Sequence, residues 1–70
     1  MKNKNLPNIT ISTMNRVKAY IKASKNPVSV HNIASNNGMH YSRAKKACVV
    51  LTDLEQVKPI ENSTGVVLYS

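Results

Sequence analysis

Seventy residues make one small domain, which buries only about 60% of the surface its unfolded chain exposes and leaves no room for a deep cleft between lobes. Ten Lys and Arg against three Asp and Glu give a formal charge of +7, an excess that points to a polyanionic partner. A single cysteine, Cys48, excludes an internal disulfide, and no apolar run approaches the ~20 residues of a membrane span, so a reducing intracellular place (cytoplasm or nucleoid) is expected.

The charge is unevenly spread. Nine basic residues lie between Lys2 and Lys46 with no acidic residue among them, whereas Asp53, Glu55 and Glu61 follow with only Lys58 to offset them. One face is therefore expected to be basic and another mildly acidic.

Residues 1–9 are polar, basic and broken by Pro7, and read as a flexible arm ahead of a domain over 10–70. A first helix is expected from Ile11 to Ser24, with Met14, Val17, Ile21 and Ser24 recurring at three- and four-residue steps. Thr10 is the expected N-cap, with Ile9 and Met14 at the staple positions and Ser12 as the competing cap. Asn26-Pro27 closes the segment, because the residue before a proline avoids helical dihedrals.

A short second helix is expected from Val30 to Asn37. Ser29 caps it, Val30, Ile33 and Ala34 form its apolar stripe, and Gly38 takes the left-handed position past its end. Met39 returns an apolar group to the core. The third helix begins at His40 or Tyr41 and ends near Glu55, with Ala44, Ala47, Cys48, Leu51 and Leu54 on one face and Ser42, Arg43, Lys45 and Lys46 off it. Two β-rich runs, from Val57 to Ile60 and from Val66 to Tyr69, flank a polar loop with Gly65 and read as a hairpin. Pro59 cannot donate to a ladder and marks its strand as an edge.

Helix, short helix, tight glycine turn, longer basic helix and hairpin, with Ile33-Ala34, Gly38-Met39, Ala44, Cys48, Leu51, Leu54 and Val57 in this order, resemble the winged helix-turn-helix superfamily of DNA-binding domains over about Thr10 to Tyr69. The fold so implied is mostly α with a small β-hairpin, and the implied function is binding of double-stranded DNA by a transcriptional regulator or architectural protein. In that resemblance Tyr41, Ser42, Arg43, Lys45 and Lys46 match positions that enter the major groove. The hairpin tip, Asn62, Ser63 and Thr64, matches the wing that touches the backbone, although it carries no Arg or Lys. Ser29 and His31, at the start of the second helix, and His40, at the start of the third, complete the expected contact set. Arg43 is the expected base reader, because its planar fork can pair with guanine twice, while Lys45 and Lys46 suit phosphates. The cations of the third helix precede its carboxylates, the reverse of what the macrodipole favours and the order that suits a polyanion at the helix start.

Competing uses of these residues are weaker. His31, His40 and Cys48 have irregular spacing for a metal site, and Cys48 sits on an apolar face, where it serves as a small hydrophobe. Tyr41 also suits a core position. No phosphate loop and no nucleophile–base–orienter set is present, so neither enzymatic activity nor a cofactor is expected. Val49 and Val50 stand where polar residues are expected. A homodimer, if formed, would use the first helix, the arm or the Val49-Val50 face. Structured RNA and an acidic protein remain the alternative partners.

Overall fold

A computed structural model describes residues 10–70. The basic arm expected over residues 1–9, and Ile9 with it, lie outside the described residues. Three helices and a small antiparallel sheet follow one another as α1 (Ile11–Ala23), β1 (Val28–Ser29), α2 (Val30–Asn37), α3 (Tyr41–Asp53), β2 (Pro59–Glu61) and β3 (Val67–Tyr69).

The helix ends carry the local chemistry that their sequences supply. Thr10 caps α1, its Oγ1 accepting from the Thr13 N–H at 3.2 Å. Ser12, the competing cap, lies inside the helix. Ser24 stands one residue beyond the end of α1, as its C-cap, and its Oγ donates to the Tyr20 carbonyl at 2.7 Å. The side chain of Ser29 caps α2 by accepting from the Asn32 N–H at 3.1 Å. Gly38 closes α2 at φ 61, in the left-handed region that an L side chain enters only at a cost. A Cβ built there meets no atom within 4 Å, so glycine is required by backbone angle and not by space. His40 occupies the N-cap position of α3, yet its side chain makes no capping hydrogen bond.

The expected hairpin is present and acquires a third strand. Val28 and Ser29 pair with Tyr69 and Leu68, and β2 pairs with β3 in the register Pro59–Tyr69, Ile60–Leu68 and Glu61–Val67. The order is β1-β3-β2. Pro59 therefore lies in an edge strand, where its missing N–H costs no ladder bond to a further strand. No sequence signal marked β1. It is two residues long, and its pairing partner lies about forty residues away in the chain.

All three helices and the sheet converge on one core. Val17 and Ile21 come from α1, Ile33 and Ala34 from α2, and Ala44, Ala47, Cys48 and Leu51 from α3, with Val28, Val57 and Tyr69 closing the sheet side. Met14 and Met39 pack against its margin. Leu54 does not join it. It is 38% exposed at the C-cap of α3, its N–H still bonded to the Val50 carbonyl, where the chain turns away through Glu55 and Val57 takes the next core position. Val50 is buried instead, while Val49 is half-buried.

Candidate nucleic-acid interface

The third helix divides by chemistry around its axis. Ala44, Ala47, Cys48 and Leu51 are buried, and Tyr41, Ser42, Arg43, Lys45 and Lys46 are all exposed. Helical spacing sorts the exposed set further. Tyr41 and Lys45 are four apart and share one flank, while Arg43, two positions from each, leaves from the opposite flank in line with Val50. Ser42, Lys46 and Val49 form the stripe between those flanks. The first two turns of α3 thus present hydroxyl, cation and phenol groups over more than half of its circumference.

Among the described residues, no side-chain hydrogen bond engages the cations of α3. Among the described residues, Arg16 donates to the Asn37 carbonyl at 2.6 Å and Lys18 donates to Gln56 Oε1 at 2.6 Å. Those bonds tie α1 to the ends of α2 and α3, so two basic residues of α1 serve the fold. Arg43, Lys45 and Lys46 make no comparable bond. No acidic residue occupies the first turn of α3 and no basic residue its last. The helix dipole and the side chains therefore add to one positive end.

Between α2, α3 and β3 lies an open groove of about 410 Å³, lined by Ser29, His31, Tyr41 and Lys45 on its helical side and by Val66 and Val67 on the hairpin. Four of the residues expected to contact a partner are thereby brought to one place, from the junction of β1 with α2 and from the first turns of α3. Ser42, Arg43, Lys46 and His40 stand outside the groove on the exposed surface. Tyr41, 56% exposed, is not a core residue.

The hairpin tip is built differently. Asn62 Oδ1 accepts from the Thr64 N–H at 2.9 Å, the Thr64 hydroxyl at 2.7 Å and the Val66 N–H at 3.0 Å. The Asn62 side chain imitates a backbone turn, so Asn62 and Thr64 spend polar atoms on shaping the tip and only Ser63 is uncommitted. None of the three lines the groove. Beside them Ile60, Val66 and Val67 are exposed apolar residues, a feature that the polar reading of the loop missed.

No group of three or more His, Cys, Asp or Glu able to hold a metal ion occurs among the described residues. Cys48 is wholly buried, and burial pushes its thiol up to about 11, with Lys45 opposing weakly. Such a thiol is a packing group and a poor nucleophile. No helix among the described residues is long and apolar enough to cross a membrane. No protein-family model matches the chain, and no curated protein and no solved structure matches it either.

Proposed function

We propose that this protein is a winged helix-turn-helix domain that binds double-stranded DNA inside the cell, with α3 in the major groove, as a small transcriptional regulator or architectural protein. The observation that carries this reading is the first half of α3. Five exposed polar or basic residues cover it, its cations make no side-chain hydrogen bond among the described residues, and its only carboxylate, Asp53, stands at the far end.

A major groove about 12 Å wide admits one helix. With the α3 stripe of Ser42 and Lys46 aimed at base edges, Arg43 on one flank and Lys45 on the other face the two phosphate strands that bound the groove. This phase favours Lys46 as the base reader and Arg43 as a phosphate contact, an exchange of the roles expected from side-chain chemistry alone. Ser29 and His31 at the start of α2 stand beside Lys45 and extend the same phosphate track.

The test is a titration of mixed-sequence duplex DNA and of structured RNA against the full chain at several salt concentrations. Duplex binding that weakens steeply with salt, and that is lost in the Arg43→Ala, Lys45→Ala, Lys46→Ala triple variant, supports the reading. Equal duplex affinity in the triple variant sinks it, and a preference for structured RNA supports the RNA alternative. A second reading, docking of a protein partner, is favoured by one observation: the hairpin exposes Ile60, Val66 and Val67 and carries no cation between Pro59 and Tyr69.

A further inference from the structure

We propose that Val49 reads the 5-methyl group of thymine, making it a specificity-determining residue of the interface. This inference rests on the DNA-binding reading of α3 and deepens it from a nucleic-acid class to a chemical feature of the site.

Four observations converge on Val49. It is half-buried and stands outside the core cluster, whereas its neighbours Cys48 and Val50 are buried. It falls seven residues after Ser42 and three after Lys46, which places all three on the stripe midway between the Lys45 and Arg43 flanks. It does not line the groove between α3 and the hairpin. The stripe then ends four residues on at Asp53, whose carboxylate repels phosphate and closes the footprint.

The chemistry follows from what a major groove displays along such a stripe. Ser42 and Lys46 supply donors for base nitrogens and oxygens. Val49 has none, and the one apolar group on a base edge is the thymine methyl. At about 1.5 Å per residue, Val49 lies roughly 10 Å along the helix from Ser42, or about three base-pair steps of 3.4 Å. One side chain is too small to make a dimer interface, which needs several hundred square ångströms from each partner. It is large enough to cover one methyl group.

The experiment selects duplexes from a random-sequence library with the full chain and resynthesises the best-bound one with each thymine in turn replaced by deoxyuridine. That change removes only the methyl. One position is expected to lose about three- to fourfold in affinity, the value of one buried methyl-sized group. Val49→Ala, whose folding is checked by its melting curve, is expected to bind the thymine and deoxyuridine duplexes equally at that position. A selected duplex in which no thymine matters, or in which Val49→Ala keeps the thymine preference, overturns the inference and leaves DNA binding standing. A chain that enriches no duplex and binds none in the titration overturns the DNA-binding reading itself.

Discussion

Cys48 sits where α3 meets the rest of the core, wholly buried beside Ala44 and Leu51. Its thiol is held neutral by the loss of hydration, with a folded value near 11 against 9.0 for the free group. A raised folded value means that unfolding releases a proton in between. The stabilisation is complete below the unfolded value and is lost as pH rises through the folded one. Denaturation midpoints are therefore expected to fall between about pH 9 and 11, and the fall is expected to be smaller in Cys48→Ala, which also loses a little stability at neutral pH and keeps duplex binding. An identical pH profile for the variant would assign the decline elsewhere. Burial pushes the Tyr69 phenol up as well, with the same sign. Ala34 shows the steric counterpart. It is buried on α2, 6% exposed, and the α2–α3 contact is the most extensive between helices in the fold. Ala34→Leu is expected to cost about 1–3 kcal/mol through overpacking, read as a lower thermal midpoint. An unchanged midpoint would mean that the two helices tolerate a wider separation.

Helix α3 carries two element-scale features, one at each end. Its C-terminus is a Schellman turn: the Gln56 N–H donates to the Leu51 carbonyl at 2.8 Å and the Glu55 N–H to that of Thr52 at 3.0 Å. Such a turn needs a left-handed residue, and Glu55 fills the position at φ 60 where glycine is usual. Glu55→Gly is expected to stabilise by roughly 0.5–1 kcal/mol, because glycine enters that region without steric cost. Chemical denaturation measures it, and a loss of stability would show that the Glu55 side chain makes a compensating contact. At the other end, the cations should separate by kind. Arg43→Ala and Lys45→Ala are expected each to shrink the slope of log affinity against log salt by ~0.9 at every duplex sequence. Lys46→Ala is expected instead to cost ~1–3 kcal/mol at one base position and to relax preference there. Sequence-independent losses for all three would make the whole helix a phosphate clamp.

At the scale of the whole molecule, charge is expected to act in opposite senses on folding and on the proposed duplex binding. A +7 chain with three carboxylates repels itself when compact. Added salt screens that repulsion, so the thermal midpoint of the free protein is expected to rise modestly from low to high ionic strength while duplex affinity falls. Parallel melting curves and titrations in the same buffers test this. A midpoint that drops with salt would mean that attractive pairs outweigh the repulsion. The three-stranded sheet joins the loop before α2 to the hairpin after α3, so the start of α2 and the groove beneath β3 are positioned by one element.

Residue order alone was enough to place the three helices, their caps at Thr10, Ser29 and Gly38, and the hairpin, because each depends on short-range chemistry: apolar spacing, a hydroxyl before a helix, a glycine after one. It also sufficed to separate the buried and basic sides of α3, since helical periodicity alone decides them. Leu54 was misplaced because periodicity does not announce where a helix stops, and beyond the turn at Glu55 it is Val57 that returns to the core. Strand β1 was invisible because Val28 and Ser29 become a strand only when β3, distant in sequence, lies beside them. The meeting of Ser29 and His31 with Tyr41 and Lys45 around one groove, and the opposite flanks of Arg43 and Lys45, are likewise products of geometry. Which side chains share a place is decided by how the helices cross and in what phase, and only the tertiary structure holds that information.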